Sequence, residues 1–385
     1  MKIIRQTRTI PPLLLLALFA SGCTTFDGIF DKDGQQRGKV QAPLASRPQA
    51  EPISRNFFVL ASEQQSVIGE LQVVLIEEGN TFSDLAREYG LGYDELVSAN
   101  PAVDPWLPPV GTPVLLPTQY VLPAAARRGI VLNIAAKRLY YFPEVAEGEA
   151  QTVMTYPIGI GRVGWETPLG SSKVIAKARD PHWYVPLSVR KEHAEAGDPL
   201  PSVVPPGPDN PLGRHVLKLD MPGYLIHGTN QPYGVGMRVS HGCVRLYPEN
   251  IESLYELIAL GEVVAIVNQP HLLGLRDDQL FFESHPVLED HSVDTEQHLA
   301  ALIDSVSHSG LTQLPKAELG ARLHAVASAA RGVPVRVQQG DDDEIYERAL
   351  LVRNTVEADP DAPTLSEVRE MMDQLPPVDE QAANQ

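Results

Sequence analysis

Cysteine is nearly absent from this sequence, which has only two in 385 residues. So few cysteines exclude a disulfide-rich scaffold. Basic residues are also scarce: 31 Lys and Arg face 49 Asp and Glu, which gives a formal net charge of −18. A surface that binds nucleic acid broadly needs clustered Lys and Arg. Nucleic acid is therefore not an expected partner.

The N-terminus has no apolar run long enough to span a bilayer, which takes about 20 residues. The run from Leu13 to Ala20 instead follows a basic stretch and precedes Ser21-Gly22, the layout of a secretory signal over residues 1–22. The small residues before Cys23 resemble a bacterial lipoprotein signal. By that resemblance Cys23 is lipid-modified and anchors a periplasmic protein, and Thr24 favours the outer membrane. Ordinary cleavage nearby, with Cys23 an incidental thiol, is the alternative.

What the sequence does contain is a foldable core, since 43% of its residues are hydrophobic. Its 29 Gly and 34 Pro favour turns and short strands over long helices. Its length fits about two or three domains. Residues 23–70 are polar and proline-rich and are expected to form a linker after the lipidated Cys23.

Residues 71–117 follow the order strand, helix, helix, strand. Thr81 with Asp84 three positions later predicts a capping box that opens the first helix. The segment resembles a LysM domain, which binds glycans containing N-acetylglucosamine; the matching residues include Gly79-Asn80-Thr81, Asn100-Pro101 and Leu116-Pro117. A packing module without glycan affinity is the alternative.

Residues 128–268 read as several short strands with Pro and Gly turns, beginning with a hairpin over 130–142. Only 250–260 reads strongly as a helix. This pattern predicts a mainly β protein with a β-sandwich or barrel-like core in this segment.

The sharpest feature of this segment is His227-Gly228-Thr229 followed by Ser240-His241-Gly242-Cys243-Val244-Arg245. A thiol is a good nucleophile only as thiolate, so it needs a base or a cationic neighbour. His241 lies beside Cys243, and His227 lies at the end of another strand. Gly242 permits a tight turn that could present amides to an oxyanion. Together these residues favour nucleophilic catalysis by Cys243.

The spacing resembles the L,D-transpeptidase (YkuD) family of the Gram-negative periplasm. The resemblance implies that Cys243 attacks a stem tetrapeptide of peptidoglycan and forms a thioester, which an amine acceptor then resolves. It implies that His227 is the base and that the Gly228 carbonyl orients it. His241 is expected to orient substrate, and the amides near Gly242 and Cys243 are expected to bind the oxyanion. Four residues are expected to contact substrate: Arg245, Ser240, Thr229 and Asn230.

Three other readings remain open: an L,D-carboxypeptidase, another cysteine peptidase, or a murein-binding lipoprotein without activity. The acceptor also remains open; it is another peptidoglycan stem, an envelope lipoprotein or a free amino acid. No cofactor is expected, because Gly159-x-Gly161-x-x-Gly164 is not followed by a sequence that can open a long helix. No metal site is indicated, because the histidines lack metal-ligand spacing.

The C-terminal third divides into a segment with short helices, 269–340, and an acidic tail, 341–385. Apolar residues at helical spacing predict two amphipathic helices around 299–306 and 319–326, the second ended by Gly332. The tail, with a net charge of −10, is expected to be solvated.

Overall fold

The computed structural model describes residues 44–53, 56–338 and 342–357. The chain forms two compact units, Met1–Ser46 and Arg47–Gln385. Of the first, only the 3-10 helix Leu44–Ser46 is described. The predicted signal peptide and Cys23 lie outside the described residues. Within the described part, no helix is both long and apolar enough to cross a membrane.

The N-terminal part of the second unit contains the predicted strand–helix–helix–strand module. The elements of this N-terminal part are β1 Phe57–Val59, β2 Val67–Gly69, β3 Gln72–Leu75, α1 Phe82–Glu88, α2 Tyr93–Ala99, β4 Pro113–Leu116 and β5 Gln119–Val121. The predicted module corresponds to β3, α1, α2 and β4. Thr81 caps α1 as predicted: its hydroxyl accepts the Asp84 N–H at 3.3 Å, and the Asp84 carboxylate accepts the Thr81 N–H at 3.0 Å. Strands β3 and β4, which the two helices separate in the sequence, pair antiparallel with each other.

The central part is built on strands, as the sequence predicts. Its elements are β6 Gly129–Asn133, β7 Arg138–Phe142, β8 Thr152–Pro157, β9 Ile160–Gly161, β10 Gly170–Arg179, β11 Trp183–Tyr184, α3 Leu187–Glu195, β12 Val203–Val204, β13 His215–Leu219, β14 Leu225–His227, β15 Arg238–Ser240, β16 Val244–Arg245, α4 Pro248–Leu257 and β17 Val263–Val267. Nine strands form one sheet in the order β1-β8-β7-β6-β17-β10-β13-β14-β16. The sheet curls at β10, whose register shifts between Val174 and Ala176.

Both faces of the sheet are covered, which explains why β6 and β7 are buried at every position. Ile130 and Leu132 face one core together with Ile251 and Leu254 of α4. The intervening Val131, with Tyr140 and Phe142 of β7, faces a second core, whose other members include Phe82, Leu85 and Leu96 of the N-terminal module. The module therefore packs directly on the nine-stranded sheet.

The C-terminal part is a small layered extension. Its elements are β18 His271–Arg276, β19 Gln279–Ser284, α5 Thr295–Ser309, α6 Lys316–Ala329, β20 Val335–Arg336, α7 Asp342–Arg348 and β21 Leu350–Leu351. The two predicted helices are present and pack on the β18-β19-β20 sheet. The prediction that Gly332 ends α6 is wrong, because the helix ends at Ala329 and Ala330 takes the left-handed conformation that follows it.

The start of the predicted acidic tail is also different from expectation. Residues 342–348 form α7, and β21 pairs in parallel with β3, Leu351 opposite Val73. Leu351 and Val352 are buried, so the prediction of a solvated segment is wrong for these residues. The edge of β3 explains why the prediction fails. It pairs with β21 and buries the apolar Leu351 and Val352, although acidic residues precede them in the chain. Residues 358–385 lie outside the described part.

Candidate active site

Two neighbouring strands bring the predicted base and nucleophile to one place. β14 and β16 are parallel neighbours, with His227 opposite Arg245, and Cys243 directly precedes β16. Adjacent strands lie about 4.8 Å apart. His227, Cys243 and Arg245 all line a single cavity of about 870 Å³. The pairing thus joins residues that are 16 positions apart in the chain.

His227 is buried and held in one tautomer. Its Nδ1 lies 2.6 Å from the carbonyl oxygen of Gly228, which can only accept, so Nδ1 carries the proton and Nε2 is left unprotonated. Burial and the positive charge of Arg245 lower the pKa of His227 to about 3. The imidazole is therefore neutral near pH 7 and can accept a proton. The orienting role expected for Gly228 matches this contact.

Cys243 is partly exposed to solvent, and its Sγ lies 3.6 Å from the Gly223 carbonyl oxygen. Burial raises the pKa of the thiol above its ordinary value, while a backbone hydrogen bond from Leu225 and the charge of Arg245 act in the opposite direction. The resting pair is thus a thiol and a neutral imidazole, and the thiol must lose its proton to a base as it attacks.

The loop between β15 and β16 is closed by Ser240. Its hydroxyl donates to the Cys243 carbonyl at 2.5 Å and accepts the Gly242 N–H at 3.2 Å. Gly242 has φ of +96°, and a Cβ there would lie 2.9 Å from the Tyr224 ring, so only glycine fits this turn. Among the described residues, the Cys243 N–H has no hydrogen-bond partner. The Cys243 amide, rather than that of Gly242, is the donor left for an oxyanion.

His241 faces a helix that the sequence did not predict. Its Nε2 lies 3.0 Å from the Glu192 carboxylate of α3 and 3.2 Å from Arg162, and Arg162 also pairs with Glu192. The ring of Trp165 packs edge-on against the imidazole, with centroids 4.8 Å apart. His241 thereby connects the nucleophile loop to α3.

The remaining predicted residues differ in their placement. Asn230 is exposed and lines the cavity, whereas Thr229 is buried and does not. Thr229 instead accepts the Gln231 N–H at 2.9 Å, so its hydroxyl shapes the turn beside the cavity. The Arg245 side chain lines the cavity, and its Nε is buried without a partner among the described residues. Ser240 also lines the cavity, but its hydroxyl is engaged within the loop.

Sequence reasoning missed the segment that covers the cavity. The strands β11 and β12 and the helix α3 supply much of this wall, including Trp183, Tyr184, Val189 and His193. Helix α3 has one buried residue, Val189, and no apolar stripe, so its hydrophobic pattern does not predict a helix. The one local signal is Pro186, which stands just before the helix. In the described part of the chain, no group of His, Cys, Asp or Glu is arranged to hold a metal ion.

Several known proteins are similar to this chain in sequence. The YkuD family model, an L,D-transpeptidase catalytic domain, matches residues 127–266. The probable L,D-transpeptidase YbiS of Escherichia coli K12 is 42% identical over 216 residues, covering 55% of this chain and 69% of that protein. YcfS of the same organism, also a probable L,D-transpeptidase, is 36% identical over 264 residues, covering 67% and 81%. A solved L,D-transpeptidase from Mycobacterium smegmatis is 21% identical, with a TM-score of 0.26 over 41% of this chain and 64% of that one.

The mainly β fold predicted for an L,D-transpeptidase is confirmed by the curled sheet and by the family match. The two relatives from Escherichia coli extend the match beyond the family model, over more than two thirds of their own length. The chain therefore belongs to the YkuD family of L,D-transpeptidases.

Proposed function

We propose that this protein acts on peptidoglycan: it releases the terminal D-alanine of a stem tetrapeptide and transfers the remaining acyl group to an amine acceptor through a thioester on Cys243. The observation that carries the proposal is the pairing of a neutral, buried His227 with a protonated thiol in one cavity. A cysteine acyltransferase needs a base that is free to take the thiol proton at the moment of attack.

Acylation begins when the Cys243 Sγ attacks the carbonyl carbon of the third stem residue and His227 Nε2 takes the thiol proton. The Cys243 N–H, which has no partner among the described residues, donates to the oxyanion of the tetrahedral intermediate. The intermediate collapses, the bond to the terminal D-alanine breaks, and His227 returns the proton to the departing amine. The product of this half-reaction is a thioester and free D-alanine.

Deacylation reverses these roles with a different amine. The acceptor nitrogen attacks the thioester carbon, His227 accepts its proton, and the thiolate leaves and recovers that proton from the imidazole. A second peptidoglycan stem gives a cross-link, and the terminal Lys of an envelope lipoprotein gives attachment through its side-chain amine. Water in place of the amine gives L,D-carboxypeptidase activity.

Mass spectrometry of the intact protein with a purified tetrapeptide muropeptide tests the proposal. We expect a mass gain equal to the donor minus D-alanine in the wild type and none in Cys243→Ala. Acceptors offered in competition then identify the product. Loss of D-alanine with no amide product would identify a carboxypeptidase, and no mass gain with any donor would leave only a non-catalytic role.

We propose that the module over 71–117 binds the glycan strand. In support, the loop between α2 and β4 exposes Trp106, whose ring lies 5.8 Å from that of Tyr93, an aromatic surface on which a sugar can stack. Co-sedimentation with purified sacculi should weaken in Trp106→Ala and not in the control Val110→Ala, which alters an exposed residue of the same loop. Equal binding by both variants and the wild type would contradict this role for Trp106.

We further propose that Cys23 carries a lipid anchor that holds the protein in the periplasm at the outer membrane. The support is the arrangement of a basic stretch, a short apolar run and small residues before Cys23. The mature wild type should partition into detergent and fractionate with outer membranes, whereas Cys23→Ser should remain in the aqueous phase. Aqueous partitioning of both forms would point to ordinary cleavage.

A further inference from the structure

The floor of the active-site cavity is one face of three paired strands, β10, β13 and β14. Side chains alternate between the two faces of a strand, so each strand gives every second residue to the cavity. The paired residues that line it are Ala176 and Ala178, Val216 and Lys218, and Leu225 and His227. The other four residues of this face are apolar, so Lys218 and His227 are its polar members.

Lys218 lies on the same cross-strand row as the nucleophile. It pairs with Leu225, and the parallel register that sets Ile226 opposite Val244 puts Leu225 level with Cys243. Two strand spacings, about 10 Å, therefore separate the backbones of Lys218 and Cys243. A lysine side chain can cover much of that distance, so its ammonium can reach a group attached close to an acylated thiol.

The Lys218 ammonium is free to bind such a group. Lys218 is exposed, and in the described part of the chain no ion pair or hydrogen bond engages it. The nearby Lys177 is different, because its ammonium donates to the carbonyls of Tyr255 and Ile258 at the end of α4. Lys177 therefore has a structural role, whereas the neighbouring Lys218 has an ammonium without a partner among the described residues.

The charges that line the cavity favour an anion on this side of the thiol. Lys218 and Arg245 are cations without carboxylate partners among the described residues, and the lining contains one carboxylate, that of the exposed Asp209. Arg245 acts close to the reacting atoms, since its charge affects both Cys243 and His227. Lys218 is the cation placed to contact substrate farther from the thiol.

We propose that Lys218 binds a carboxylate of the donor stem peptide and so makes the enzyme select donors in which that carboxylate is free rather than amidated. The inference rests on the proposed function, because it assumes that a stem peptide acylates Cys243. Stem peptides carry several carboxylates, and an ammonium distinguishes a carboxylate from an amide through its charge.

The test compares acylation of Cys243 in the wild type, Lys218→Met and Lys218→Arg. The donors are a tetrapeptide with all carboxylates free and a set in which each carboxylate in turn is an amide. We expect Lys218→Met to lower acylation efficiency for the free donor by about tenfold, mainly through KM, and Lys218→Arg to restore most of it. With one of the amidated donors, acylation of the wild type should be as weak as acylation of Lys218→Met by the free donor. With that same donor, Lys218→Met should cause no further loss.

The control is Lys173→Met, which removes an exposed lysine of β10 that does not line the cavity and should leave all rates unchanged. Alkylation of Cys243 by iodoacetamide, a neutral probe, should be the same in every variant. The inference is overturned if the wild type is acylated and Lys218→Met loses nothing, or loses equally with every donor. If no donor acylates the wild type, the proposed function itself fails, and this inference fails with it.

Discussion

Burial sets the charge state of both reacting side chains at the level of single residues. It raises the pKa of the Cys243 thiol and, with the help of Arg245, lowers that of His227 to about 3. An imidazolium–thiolate pair would need the opposite shifts. Both groups therefore rest uncharged, and a protonated thiol is less readily oxidised than a thiolate.

The resting charge state predicts the pH dependence of acylation. Because His227 has a pKa of about 3 in the folded protein, it is already deprotonated at pH 5, and the rate should not rise through pH 6.5. Stopped-flow acylation between about pH 5 and 8 should give a nearly flat profile. A clear inflection near 6.5 would contradict the neutral pair.

His227→Gln should lower the rate by about 10²–10⁴-fold, and His182→Gln, which alters an exposed residue lining the same cavity, should not.

The geometry of individual residues could be predicted only where a motif is local. The His227 contact with Gly228 follows from adjacent residues, and the capping of α1 follows from a spacing of three. The sequence does not show that the Thr229 side chain is buried outside the cavity lining, because its neighbours on both sides of the motif, His227 and Asn230, do line the cavity. The choice between the Gly242 and Cys243 amides depends on the Ser240 hydroxyl, whose rotamer the sequence does not specify.

Helix α3 is attached to the nucleophile loop through charge rather than through apolar packing. Val189 is its one buried residue, and the contacts of Glu192 with Arg162 and His241 hold the helix beside the cavity. Such an element is difficult to predict from sequence, because periodic burial is the main signal of a helix and α3 has almost none. Its stability should depend on these contacts.

Breaking the charged contact should therefore affect catalysis through α3. Glu192→Gln should lower the acylation rate by about fivefold, and the loss should shrink as salt is raised, because the contact is partly exposed. The matched control is Glu195→Gln, on the same helix, which pairs only with Lys191 on the exposed surface. Equal rates for the two variants would show that the Glu192 contact does not position the loop.

Strand β21 binds the end of the described chain to the N-terminal module. It adds a parallel strand beside β3, and Asn354 donates to Leu75 and to the side chain of Asn80 in the Gly79-Asn80-Thr81 loop. This pairing joins residues 278 positions apart in the chain, Leu350 with Gln72 and Leu351 with Val73. The sequence could not predict it, because two leucines after an acidic stretch are too short a signal for a strand.

Removal of β21 should destabilise the module. A chain ending at residue 341 loses the buried Leu351 and Val352, and its free energy of unfolding should fall by roughly 3–5 kcal/mol. A chain ending at residue 357 retains β21 and serves as the control. Urea denaturation followed by tryptophan fluorescence compares the two. Equal stability of both truncated chains would show that β21 adds little to the fold.

The whole second unit is organised around the contact between the module and the catalytic sheet. Gly236 lies against Gly92 so closely that a Cβ on Gly236 would be 2.3 Å from the Gly92 Cα, and the Tyr93 N–H donates to the Val235 carbonyl. Arg138 of β7 is fully buried there, 2.6 Å from Glu95 of α2 and stacked on the Tyr120 ring at 4.0 Å. A glycan held by the module would therefore lie at a fixed position relative to Cys243.

A buried ion pair across this contact makes the module and the sheet depend on each other. Arg138→Met leaves the Glu95 carboxylate buried and unpaired, which should cost about 3–5 kcal/mol of unfolding free energy. The double variant Arg138→Met, Glu95→Gln should recover part of that loss, because no charge remains buried. The control Lys137→Met breaks the neighbouring, more exposed pair with Asp94 and should cost less than about 1 kcal/mol.

Denaturant unfolding also reports whether the two parts melt together. In the wild type, far-UV circular dichroism and tryptophan fluorescence should show a single coincident transition, because the second core is shared between the module and β6–β8. Arg138→Met should move that transition to lower denaturant without splitting it. Two separate transitions in the wild type would show that the module is an independent domain, and its position relative to Cys243 would then not be fixed by the fold.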